Sequence, residues 1–333
     1  MEIVFNASTY EQSRKLEEMD VEYYEQVIFT IYNYLKDILD LSLLNMIVVP
    51  EDYKSEIFQF QRNNGHPEYI TENKYGQGFA QVVSSRYSNG VINYNVFLDK
   101  KIVFALLDDN ILLTCKDNLN DEDYRIMYDT RQLTINTLCH EFAHVHEYAL
   151  NRNMEWLHDD LGAALYSQYI ALAKKCWSEY FACRTASSSF FLQSDYCTEI
   201  ISTCNDVEKM LQKKRSEYNR RIITLDEFVG EFHYYTTFLL KKIASAHGNL
   251  YCLPESREEI IRVMEGAFSE SYVKAIWTEY GQALNKLYEE YPFWKNISVF
   301  DDLISLNIKY FNQFDIYISE TTEGVYYEIP VRL

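Results

Sequence analysis

QLTINTLCHEFAHVHEYAL, residues 132–150, decides how the rest of the chain is read. It contains no Gly or Pro, and Ile135, Leu138, Cys139, Phe142, Val145 and Ala149 recur at helical spacing, which predicts a helix with one face for the core. At about 100° per residue, His144 lies roughly 40° from His140, so both imidazoles project from one face a turn apart. Glu141 sits about 60° beyond His144, beside that face. The arrangement is H-E-x-x-H, in which two histidines bind zinc and the glutamate takes a proton from the attacking water. The bland alternative is a pair of polar helix residues making ordinary hydrogen bonds. His146 is turned roughly 200° from His144 and reads as a surface or core-edge residue. Tyr148 reads as packing, and Cys139 as a buried thiol.

A hydrolytic zinc site needs three protein ligands and an open position for water. The pattern H-E-x-x-H-x-x-G-x-x-H would need Gly at 147 and His at 150, where this chain has Glu147 and Leu150. A glutamate from a later helix is the remaining arrangement, and KKCWSEYFACRTAS, residues 174–187, supplies Glu179. A carboxylate bordered by Trp177, Phe181 and Ala182 is expensive to bury without a cation, and zinc would be one. The alternative is a structural carboxylate paired with Arg184 or a lysine. Glu147, Glu155, His158, Asp159 and Asp160 stay open as competing ligands.

HEFAHVHE followed by SEYFACRTA resembles the gluzincin branch of zinc metallopeptidases, with a weaker likeness to the ImmA/IrrE-like group. The resemblance spans roughly residues 75–190. It implies a zincin-like fold, zinc held by His140, His144 and Glu179, and Glu141 as general base. It also implies an edge strand that holds an extended peptide, for which 91–98 is the candidate. The group that stabilises the oxyanion is not identified, although His233, in EFHYY, is the most distinctive distal candidate. Nothing in 190–333 resembles a known family.

The formal charge of −19 argues against a protein that tracks a nucleic-acid backbone. Lys213-Lys214-Arg215 with Arg220-Arg221 is the only dense basic stretch, and it reads as a solvated helix face. Seven cysteines, an odd number without a C-x-x-C, suggest reduced thiols in a cytoplasmic protein. No signal peptide is visible at the N-terminus, and no apolar run reaches membrane-spanning length. Residues 101–115 come closest, but Asp108 and Asp109 interrupt them.

Only 10 Gly and 5 Pro in 333 residues favour long helices over a loop-rich all-β fold. Helices are expected over 20–43, 51–61, 122–150, 159–189, 191–219, 225–246, 255–289 and 298–310. LNMIVV, ended by Pro50, reads as a buried strand. GFAQVVSSRY and VINYNVFLD, flanking Ser88-Asn89-Gly90, read as a hairpin. The tail reads as a second hairpin around Thr322-Glu323-Gly324. The expectation is an α+β, mostly helical chain: a zincin-like core over 1–190 with a small mixed sheet, and a helical portion over 191–333. As an enzyme it would hydrolyse a peptide or protein substrate, with Zn2+ as cofactor and neither nucleic acid nor membrane as partner. A non-catalytic zincin-like binding or sensing protein is the alternative.

Overall fold

In the computed structural model, residues 1–6, 18–70, 72–73, 76–86, 92–106, 109–157, 164–189, 196–252 and 257–330 are described. The chain divides into two compact units, residues 1–150 with 185–192, and residues 151–184 with 193–333. Most of the helix that carries Glu179 therefore falls in the second unit, whereas the expected dividing line ran at residue 190.

The first unit contains β1 (Glu2–Phe5), α1 (Glu18–Leu35), β2 (Leu44–Val49) and α2 (Tyr53–Asn63). The two-residue strands β3 (Glu72–Asn73) and β4 (Gly76–Gln77), then β5 (Ala80–Arg86) and β6 (Ile92–Leu98), come next. It ends with α3 (Lys100–Val103), α4 (Asp109–Asn118) and α5 (Asp121–Asn151). The main sheet has the order β1-β2-β6-β5 and is mixed: β1 and β6 run parallel to β2, and β5 is antiparallel to β6. The expected strand pair forms, with Ala80 opposite Leu98 and Arg86 opposite Ile92. Its Ser88-Asn89-Gly90 turn lies outside the described residues.

The near-continuous apolar run of β2 follows from burial of both sheet faces. Ile47, Val49, Val96 and Leu98 join a core with α1 and α5, while Val48, Val83 and Phe97 pack with Tyr53 and Ile57 of α2. Asn95, fully buried in β6, donates to the Val83 carbonyl and to Ser85 Oγ and accepts from Asn45, so its amide is satisfied within the sheet. At the start of α5, Asn120 accepts from the Asp123 amide at 2.9 Å, and Asp121, Glu122 and Asp123 complement the helix dipole. Ile135, Leu138, Cys139, Phe142 and Val145 face the core, as the helical wheel requires.

The second unit contains α6 (Ala164–Ser189) as far as Arg184, α7 (Tyr196–Asn219) and α8 (Leu225–Tyr251). They are followed by α9 (Arg257–Ala267), a 3₁₀ turn (Tyr272–Ala275), α10 (Trp277–Glu290), α11 (Asp301–Asn312) and the hairpin β7 (Tyr317–Thr321) and β8 (Gly324–Glu328). Its core is rich in aromatic residues, with Trp177 against Trp294 at 4.8 Å and against Phe181 at 5.6 Å. The helix expected over 255–289 is broken. Ser271 caps the 3₁₀ turn, and Glu208 of α7 accepts from Ser271 Oγ and from the Tyr272 and Val273 amides. The Val273 amide also donates to the Ser271 cap, and Glu208 adds an acceptor from another helix for both amides.

The helix expected to stop at 246 instead runs through Gly248. A Cβ there would lie 2.6 Å from the Tyr180 carbonyl oxygen and 3.0 Å from the Arg184 nitrogen, so glycine is what lets α8 approach the α6 backbone. His247, one residue past the expected helix end, is buried in α8 against Trp277 at 4.0 Å. The basic stretch of α7 is a paired surface: Lys213 and Lys214 approach Glu217, and Arg215 bonds Asp315. Among the described residues no helix is long and apolar enough to cross a membrane.

His233 packs between Phe232, Phe311 and Tyr327, and its Nε2 shares a 2.8 Å hydrogen bond with the Tyr327 hydroxyl. Burial holds this imidazole below its ordinary value. The unfolded chain therefore takes up the proton first as pH falls. Its contribution is complete above the ordinary histidine value of about 6.5 and is lost as pH drops below that through the folded value. Urea midpoints measured between pH 7.5 and 5 should fall for the wild type and fall less steeply for His233→Gln. Parallel curves would refute this.

Candidate metal centre

His140 and His144 project from α5 on the side opposite its core-facing residues. Their Nε2 atoms lie 3.1 Å apart and the rings stand at 90°. Two imidazole nitrogens bound to one tetrahedral zinc at 2.0–2.1 Å would be about 3.3 Å apart. The spacing therefore fits a shared ion to within a few tenths of an ångström. It also suits an N–H···N hydrogen bond between two neutral rings.

Glu147, 3% exposed, places Oε2 4.0 Å from His144 Nδ1. A buried carboxylate on that side favours the tautomer with its proton on Nδ1, leaving the Nε2 lone pair for a metal. Glu147 thus stands on the far side of the ring from the His140 nitrogen. The sequence marked it only as a rival ligand, because helical position does not say which ring nitrogen a neighbour faces. Tyr148 stacks on Tyr94 of β6 at 4.4 Å and on His144 at 6.4 Å, which anchors the histidine turn to the sheet. Burial, then Glu147, raises the Tyr94 phenol.

Glu141 is 8% exposed on the flank of the histidine face. Its charge is felt at Tyr53, whose phenol is raised by burial first, then by Glu141 and Asp99. The Tyr53 hydroxyl is buried and has no hydrogen-bond partner among the described residues. His146 is half-buried and accepts the Asp40 amide at Nδ1, 2.9 Å away, as a core-edge residue does. Cys139 is buried, and burial pushes its thiol up.

Glu179 lies on α6 in the second unit, about three-quarters buried, with Oε1 2.7 Å from Lys241 Nζ of α8. Its cation is thus a lysine, so burial of this carboxylate does not by itself require zinc. Arg184 is engaged elsewhere. Its guanidinium lies between the Tyr251 and Tyr288 rings, 3.1 and 3.6 Å from their centroids, and donates to the Tyr180 hydroxyl and Asn285 Oδ1. Lys241 carried no signal in the sequence, because its contact is made between two different helices. Of the remaining candidates, His158, Asp159 and Asp160 lie outside the described residues, and Glu155 opens a 3₁₀ turn, Glu155–Leu157. Of the segment 91–98, expected at the sheet edge, residues 92–98 form β6, which is interior between β2 and β5; among the described residues the edge strands are β1 and β5.

Set against known proteins, the chain finds no counterpart: no family model, no curated protein and no solved structure matches it.

Proposed function

We propose that the chain is a cytoplasmic zinc-dependent metallopeptidase of zincin-like fold, with His140, His144 and Glu179 as ligands and Glu141 as general base. The observation that carries this reading is the 3.1 Å convergence of the two Nε2 atoms in the turn that also holds the buried Glu141. Two imidazoles and a carboxylate are a set that could hold a metal ion. Bound zinc would acidify a water and polarise the carbonyl under attack. Glu141 would accept the proton of the attacking water and return it to the leaving nitrogen. Glu147 would hold His144 in the ligating tautomer. The outer edge of β5, which carries no strand among the described residues, suits an extended peptide added antiparallel or parallel to it. Among the described residues Cys139, Cys176 and Cys204 are buried free thiols, in keeping with a reducing compartment.

A second reading has its own observation. The Glu179–Lys241 ion pair satisfies the carboxylate without a metal, and the histidines could share a proton. The chain would then be a non-catalytic binding protein. Zinc content separates the two readings. Wild type purified without added metal should carry one zinc per chain, and His144→Ala should lose it. Glu179→Ala should bind at least about 100-fold more weakly, as loss of one of three ligands implies. A wild type that takes up no divalent metal would leave only the binding protein.

A further inference from the structure

We propose that Lys241 is the positioning residue for Glu179, holding one carboxylate oxygen so that the other is presented to the metal. The role rests on the zinc reading. An ionised carboxylate offers two oxygens and about four acceptor directions, so one ammonium does not exhaust it. The Nζ–Oε1 distance of 2.7 Å is that of a charge-assisted hydrogen bond, and both side chains are about three-quarters buried, at 27% and 21% exposure. Buried this far, the pair is screened less by solvent than a surface bridge.

The backbone behind Lys241 is fixed independently of the ion pair. Two turns further along α8, Gly248 sits against the Tyr180 carbonyl and the Arg184 amide. Cys252 Sγ donates to the Arg184 carbonyl, and the Arg184 guanidinium covers the Tyr251 ring. These contacts lock α8 to the turn of α6 that begins at Tyr180, the residue after Glu179. Lys241 therefore approaches a carboxylate whose own backbone is held by the same helix pair. A ligand whose outer partner is removed characteristically loses 10–100-fold in metal affinity.

Zinc affinity is the test, measured by competition with a chromophoric chelator on the full chain, alongside metal-free melting temperatures. Lys241→Met should weaken zinc about tenfold or more. Lys241→Arg, whose guanidinium also donates to carboxylates, should bind within about threefold of wild type. In the Glu179→Ala background, adding Lys241→Met should change nothing, because the two act through one carboxylate. Loss in Lys241→Met with rescue by Lys241→Arg supports the role. Lys241→Gln serves if the methionine variant does not fold. Wild-type affinity in Lys241→Met and Lys241→Gln overturns the role while leaving the zinc site standing, and tighter binding overturns it by making Lys241 a competitor of the metal. If Glu179→Ala itself binds zinc like the wild type, the ligand assignment fails first, and that result is distinct from the others.

Discussion

Glu141→Gln is expected to lower turnover of a mixed-sequence peptide substrate by about 10³-fold while one zinc per chain is retained, in line with the 10²–10⁴-fold worth of a positioned general base. Glutamine matches glutamate in shape and keeps an accepting oxygen, so the α5 turn should hold. It cannot take up a proton, so the step that fails is activation of water. Glu141 lies about 100° from His140 on the helix and outside the ligating pair, which is why zinc should stay. Simultaneous loss of zinc and activity would make Glu141 part of the metal's support. Turnover within threefold of wild type would remove it from the chemistry.

Glu208→Ala carries the largest expected loss of stability, about 3 kcal/mol, because it orphans a cluster of buried donors. Ser271 Oγ, the Tyr272 and Val273 amides and the Tyr310 hydroxyl all donate to this carboxylate. Desolvation nonetheless holds Glu208 above its ordinary value, with the four hydrogen bonds opposing it. The ion is therefore poorly solvated in its own right, and the loss comes from the donors it leaves behind. Melting followed by circular dichroism should drop by roughly 6–12 °C. A drop below about 2 °C would mean that water or a rearranged turn satisfies those amides instead.

The histidine helix was legible because everything that defines it is local. A run without Gly or Pro, apolar residues at three and four, and His140 and His144 one turn apart determine its length, its core face and the direction of both imidazoles. The strands 80–86 and 92–98 and the terminal hairpin were legible for the same reason, since alternation and turn residues act over a few positions. β1 was not, because four residues are too few to show a period, and its place comes from pairing with β2. The break inside 255–289 was hidden because a continuous helical period runs through it. Glu208, on α7, joins the Ser271 cap in making the 3₁₀ turn a satisfied alternative.

At the site, the sequence by itself put forward His140, His144 and Glu179 as candidate ligands and Glu141 as candidate base. It did not determine what surrounds them. Tertiary structure decided that Glu147 lies behind His144 at Nδ1, that Lys241 pairs with Glu179, and that β6 is interior while β5 is an edge strand of the described sheet. The physical reason is range: helical phase and turn chemistry are set by neighbours a few residues away, whereas the partner of a buried charge is chosen by whichever distant helix the packing of the core brings against it.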